Sequence, residues 1–158
     1  MARGTFRLYL GAAPGVGKTY AMLSEGNRRA ARGTTVVIGH LNTRGRAKTI
    51  EQVGILTTAP ITGMIEQKPE VVLVDDIAEA NRWQLVDQIL EAGIDVVATM
   101  NVQHIASLAD VVHRVTGRSV DEVVPDSFVR SADQVELVDI SPEALRRRLA
   151  HEIGRAHV

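Results

Sequence analysis

Lys18 and Thr19 stand side by side behind Gly15 and Gly17, between a β-branched and aliphatic run from Thr5 to Leu10 and a helix-forming run from Ala21 to Glu25. A strand, a glycine-rich loop, Lys-Thr and a helix in that order is the setting a phosphate-binding loop requires. The glycines admit backbone angles closed to other residues, so several N–H groups can converge on one anion. The helix that follows contributes free N–H groups and the positive end of its dipole. Lys18 offers a mobile positive charge to the outer phosphates, and the Thr19 hydroxyl can ligate Mg²⁺. Ala13, Pro14, Gly15, Val16, Gly17, Lys18, Thr19 and Tyr20 are therefore the expected nucleotide-phosphate cradle. The usual pattern has glycine where Ala12 stands, and Gly11 lies one place early. Alanine is tolerated there if its φ is negative. A glycine-rich turn with an incidental lysine is the plainer alternative; the complete strand-to-helix setting argues against it.

A phosphate loop needs a metal partner, and Val71-Val72-Leu73-Val74-Asp75-Asp76 supplies one. Four apolar residues deliver Asp75 to a strand's carboxyl end, where it can hold Mg²⁺ directly or through water. Asp76, the next residue, is the catalytic candidate, able to orient or deprotonate a water beside the outer phosphate. Acids also end strands simply because they are soluble and turn-forming; the upstream loop favours the metal role for Asp75. Thr99 and Asn101 close another strand and are placed to sense nucleotide state, with strand termination as the competing account. Arg44 and Arg46 lie in a basic loop suited to phosphate or to a partner's acid, although exposed arginines are commonly just solvated. His104 reads as a capping or partner-contact residue. The other histidines lack metal-ligand spacing, Trp83 reads as packing, and Arg146-Arg147-Arg148 as a solvated helix face.

These residues need a scaffold. Helix formers from Ala21 to Arg32 end at Gly33, and Thr34 to His40 is a β-branched strand buried on both faces. Lys48 to Val53 and Met64 to Lys68 read as short helices, with extended chain near Thr57, Thr58 and Ile61 between them. The strand before Asp75 is followed by an amphipathic helix from Arg82 to Ala92, then a strand from Asp95 to Asn101. A helix from Ile105 to Thr116 is expected to turn Ile105, Leu108, Val111, Val112 and Val115 to the core. A short strand over Val120 to Val124, a last strand over Gln134 to Asp139 and a helix from Ser141-Pro142 complete the reading. Strands alternating with helices imply right-handed crossovers and ligands at the strands' carboxyl ends. The expected fold is α/β, a P-loop NTPase-like three-layer α/β/α sandwich with a mostly parallel central sheet, in one domain spanning 1–158.

The composition fits. Of 158 residues 45% are hydrophobic but only 3% aromatic, so Val, Leu, Ile and Ala must fill the core, as in a buried parallel sheet. A net charge of −1 gives no global pull toward nucleic acid or anionic membrane. Without cysteine there are no disulfides or thiolate metal sites, and the reducing cytoplasm is the expected location. No apolar run approaches the ~20 residues that span a bilayer, so no direct membrane insertion is expected.

The stretch Gly11 to Leu23 resembles the start of the N-terminal cytoplasmic domain of the KdpD family, the osmosensitive potassium sensor histidine kinases. The resemblance continues through Thr43-Arg44-Gly45-Arg46, Val72-Leu73-Val74-Asp75-Asp76 and Arg82-Trp83-Gln84. It extends to Asn101-Val102-Gln103-His104, Val124-Pro125-Asp126-Ser127 and Val135-Glu136-Leu137-Val138-Asp139. Ala12 is also what the family carries. The chain departs from the family in being shorter between Gly54 and Lys68 and between Asp76 and Arg82. It has Asp76 where Glu is usual, and Arg44 where the family has His. The resemblance implies a cytoplasmic, ATP-binding module of a two-component system for potassium homeostasis, either excised from a sensor or a short stand-alone homologue. In the full sensor, other segments anchor the protein in the inner membrane and carry the histidine kinase core; neither is expected of this chain.

The leading expectation is thus a regulatory domain whose ATP/ADP and Mg²⁺ state alters a surface read by a protein partner or by the remainder of a sensor kinase. The rival is an enzyme, a weak ATPase or small-molecule kinase using Asp76, Arg44 and Arg46 on the transferred phosphoryl group. A third possibility is an interaction module with a vestigial phosphate site.

Overall fold

In β1 (Phe6–Gly11), Phe6, Leu8 and Leu10 pack into one hydrophobic cluster and Tyr9 into another. The same alternation repeats in β4 (Val71–Val74) and β5 (Asp95–Asn101). Val72, Val74, Val96, Ala98 and Met100 join the first cluster, while Val71, Leu73 and Val97 join the second. Successive side chains of a strand point to opposite faces, so the two clusters are the two faces of one sheet, each covered by helices. This computed structural model describes residues 2–12, 16–42, 47–138 and 143. Gly15 and its neighbours Ala13 and Pro14, the basic loop with Arg44 and Arg46, and the helix expected from Ser141 lie outside the described residues.

One face is covered by α1 (Val16–Ala31), which sends Met22 and Leu23 onto β2 (Val36–His40), β4 and β5. Leu56, beyond α2 (Ala47–Gln52), joins them. A β-carbon on Gly26 would lie 2.5 Å from Leu73 Cδ1, so the absence of a side chain lets α1 settle close to the sheet. Gly33 (φ 91°) then stops the helix in a backbone conformation that L residues rarely adopt. The opposite face is covered by α3 (Met64–Gln67), α4 (Arg82–Glu91) and α6 (Asp126–Arg130). Met64, Val86, Ile89, Leu90 and Phe128 reach the cluster. Phe128 stacks at a tilt between Phe6 and Trp83, with ring centroids 5.1 and 5.5 Å away, which bears out packing as the role of Trp83.

All pairings are parallel, and with β3 (Thr57–Thr58) and β6 (Gln134–Val138) the order is β3-β2-β4-β5-β1-β6. The expected α/β fold is therefore found, with a wholly parallel sheet among the described residues. Three local expectations need correction. Val120 to Val124 is not a strand; only Val124 bridges, to Ile105, because the chain there turns past the end of the sheet. In α5 (Ala106–Thr116) the buried residue is Ala109, while Val111, Val112 and Val115 stay half-buried; this helix packs beside the carboxyl-end loops, not across the sheet face. β2 is not buried on both faces, since Val37, Gly39 and His40 are partly exposed beside the two-residue β3.

Candidate phosphate and metal site

Strand parity and register assemble the site. Gly11 shares the face of Tyr9, and Thr99 and Asn101 that of Val97, all toward α1. Across the β1–β5 ladder Tyr9 is level with Thr99 and Gly11 with Asn101. Across β4–β5 Val74 is level with Ala98, so Asp75, one residue on, arrives beside Thr99. Because β5 lies between β1 and β4, Thr99 and Asn101 stand between the strand that leads into the candidate phosphate loop and the acidic strand end.

Thr19 occupies the first turn of α1, and its Oγ1 lies 3.1 Å from each Asp75 oxygen. A hydroxyl has one proton and two lone pairs; with the proton on Asp75, a lone pair remains for a cation. Asp75 also accepts from the Thr99 hydroxyl and from the Asn42 N–H at 3.0 Å. It is fully buried, with Thr19 7% and Lys18 3% exposed. Three neutral donors therefore hold the carboxylate. The donor set fits Mg²⁺: hard oxygen atoms only, and among the described residues no cluster of three His, Cys, Asp or Glu. Mg²⁺ commonly takes one or two protein oxygens and completes its shell with water and phosphate. Thr19 and Asp75 would hold it.

Lys18 returns along β1. A β-carbon on Gly11 would lie 2.7 Å from Lys18 Cδ and 3.3 Å from its Nζ, so the lysine stem crosses the bare backbone of Gly11. That explains the early glycine of the sequence: its place is under Lys18. Asn101 is 7% exposed, and its Oδ1 has no hydrogen-bond partner among the described residues. Tyr20 is on the outer side of α1, 43% exposed.

Asp76 leaves β4 with φ 48°, a conformation uncommon for a residue other than glycine. Its N–H donates to Thr99 Oγ1 at 2.9 Å. Its side chain lines a cleft of ~130 Å³ with Glu79, Asn101, His104 and Glu122. His104 does not cap α5; the cap residue is Ile105, with no side-chain bond. Its Nδ1 lies 2.7 Å from the Glu122 carbonyl, which can only accept, so Nδ1 carries the proton.

His40 reaches this side through a bulge. Ile38 pairs with Leu73 but His40 with Val74, and the extra residue reverses the alternation. Burial and then the Arg82 charge hold its pKa below the ordinary value, against the opposing pull of Asp75, Glu79 and Asp76. The sequence reading missed Gly11, His40, the Asn42 N–H and the bonding role of Thr99. Only parity along a strand whose neighbours were known would have revealed them.

The family model described as the KdpD osmosensitive K⁺ channel His kinase sensor domain matches residues 2–155. The sensor protein KdpD of Mycobacterium tuberculosis is 50% identical over 172 aligned positions, covering 94% of this chain and 20% of that protein. The Escherichia coli sensor protein KdpD is 41% identical over 93% of the chain and 19% of its own length. A putative sensor protein KdpD of Synechocystis is also 41% identical, with 46% of its length covered. The chain thus spans about a fifth of the first two relatives. An alignment of 172 positions exceeds the 158 residues present, so the relative carries segments that this chain lacks. Among solved structures, the flagellar accessory protein FlaH of Methanocaldococcus jannaschii superposes with a TM-score of 0.50 at 12% identity, over 87% of this chain and 72% of that one. That likeness shows a shared α/β fold. Among the described residues no helix is long and apolar enough to cross a membrane. With the family model running over nearly its whole length and half of its positions identical to one relative, the chain belongs to the KdpD sensor-domain family.

Proposed function

We propose that this domain binds a Mg²⁺-nucleotide, ATP or ADP, and that the bound state modulates a protein partner or the remainder of a potassium-responsive sensor kinase. The observation that carries the reading is the buried Thr19–Asp75 pair at 3.1 Å beneath a lysine folded over Gly11. In this reading the backbone from Ala13 to Thr19 and the Lys18 ammonium hold the phosphates, Val16 and Tyr20 flank them, and Thr19 with Asp75 holds the metal. The metal supplies charge neutralisation at the phosphates when bound. Lys18 presents its ammonium from a nearly buried position, where an ionic contact is weakly screened, and Asn101 offers its amide from the adjacent strand.

Titration of ATP with Mg²⁺ into the wild type and Lys18→Ala tests this. The wild type is expected to bind and to gain about 2.7 kcal/mol of stability at ligand near 100 times Kd. Equal affinity in the two proteins would remove the phosphate assignment, and no stabilisation of either would favour a vestigial site. A second reading, phosphoryl transfer to water or a small acceptor, is supported by Asp76 lining the cleft beside Asn101. Turnover that survives Asp76→Asn unchanged would exclude Asp76 as its base.

A further inference from the structure

Thr99 stands at a junction. It is fully buried; its hydroxyl donates to Asp75 and accepts from the Asp76 N–H. The direction is fixed, because an N–H can only donate, so the hydroxyl's single proton goes to the carboxylate. Its backbone carbonyl accepts from the Ile77 N–H at 3.1 Å. One residue of β5 therefore grips the metal-side carboxylate and the first two peptide groups leaving it. Both side-chain bonds share one oxygen, so a rotation that releases one releases the other.

The segment held in this way is unusual. Asp76, Ala80 and Asn81 have φ of 48°, 53° and 53°, which residues other than glycine keep only where neighbours enforce it. Within the segment the Glu79, Asn81 and Trp83 N–H groups donate to the Asp76, Ala78 and Ile77 carbonyls at 3.1, 3.2 and 2.8 Å. Ile77 and Ala78 are buried in the core, and the segment's two ends are tied to the neighbouring elements. Thr99 holds the start, Arg82 Nη1 reaches the Asp76 and Glu79 carbonyls at 3.4 and 3.3 Å, and Glu122 Oε2 accepts from the Ala80 N–H at 2.5 Å. Glu79, Ala80 and Asn81 are exposed, so any change in this segment is displayed at the surface.

We infer that Thr99 is a positioning residue through which the Thr19–Asp75 pair sets the conformation of residues 76–82, making that segment the surface that reports nucleotide state. The inference rests on the Mg²⁺-nucleotide reading above. Fixing Asp75 fixes the Thr99 hydroxyl, and that hydroxyl fixes the Asp76 peptide. The order gained at the buried pair is thereby passed to Glu79, Ala80 and Asn81.

Amide hydrogen exchange with and without Mg²⁺ and a slowly hydrolysed ATP analogue tests the coupling. The wild type, Thr99→Ser and Thr99→Val are compared, each saturated as judged by calorimetry and each shown folded by its melting curve. Nucleotide is expected to slow exchange at Asp76, Ile77 and Ala80 by about tenfold in the wild type and Thr99→Ser. In Thr99→Val, which keeps the shape and loses the hydroxyl, that slowing is lost while exchange in β1 and β5 still responds. Equal slowing of 76–82 in Thr99→Val would overturn the inference with the nucleotide reading intact. Absence of calorimetric binding to the wild type would overturn both.

Discussion

A methyl group added at Gly11 would meet the stem of Lys18 at 2.7 Å. The lysine must then move, and with it the charge proposed to meet the phosphates. Gly11→Ala is expected to weaken Mg-ATP binding by about tenfold, or about 1.4 kcal/mol, in calorimetry. The stability without ligand should also fall, by about 1–3 kcal/mol, because the methyl meets the stem of a nearly buried lysine. Asp75→Asn acts differently. The amide presents an N–H₂ to a pocket whose neighbours, two hydroxyls and a peptide N–H, now all point protons inward. A donor facing donors in a fully buried place is expected to cost about 1–3 kcal/mol, seen as a lower denaturation midpoint. The sequence singles out Lys18, Thr19, Asp75 and Asn101 as candidates because their types and local setting carry the signal, and the fold brings them to one end of the sheet. The sequence does not identify Gly11, Thr99 or the Asn42 N–H as their supports, since those roles arise only from register across neighbouring strands.

At the scale of elements, the contact of α1 with β4 turns on one missing side chain. Gly26→Ala would gain about 1 kcal/mol of helix propensity, yet its methyl would lie 2.5 Å from Leu73 and 3.2 Å from Leu56. Leu73 is fully buried between sheet and helix, so overpacking of about 1–3 kcal/mol is expected to outweigh the gain. Urea denaturation reads the sign directly. On the other face, Phe128→Ala is expected to cost about 3–5 kcal/mol by opening the space between Phe6 and Trp83. The central strands were legible because unbroken Val and Leu runs have few other homes. The α5 face was not, because apolar periodicity marks a helix that can be buried and says nothing of how much sheet lies beneath it. Val120 to Val124 misled for a related reason: β-branched residues promise a strand only where a partner strand has an edge to offer.

For the molecule as a whole, His40 and Glu25 are two of the groups among the described residues that shape the response to acid. His40 is held below its ordinary 6.5 by burial and by Arg82, so the unfolded chain takes up that proton first. Its contribution is complete above about pH 6.5 and falls as the pH drops below that value. Burial would raise Glu25, but bonds from Arg28 and Arg29 and the Arg7 charge outweigh it and lower its pKa from 4.5. Glu25 is 6% exposed, and its contribution is complete above about pH 4.5 and lost as the pH falls through its lower folded value. Melting temperature against pH should therefore decline in two stages. His40→Gln should flatten the upper stage, and Glu25→Gln should reduce the lower, which Asp126 shares through its bonds from Ser107.

The position of β5 between β1 and β4 also has a consequence in time. The strand that leads into the proposed phosphate loop and the strand that ends at Asp75 both pair with β5 and not with each other. During synthesis, the residues from Thr19 to Asp75 can all have emerged while their two strands still lack the one that joins them. The pair can close only once residues 95–101 have been inserted, an addition of sequence-distant contacts of the kind that slows folding. Chains halted before Asp95 should consequently ignore Mg-ATP, while chains that have released Asn101 and its neighbours should begin to gain resistance to protease from it.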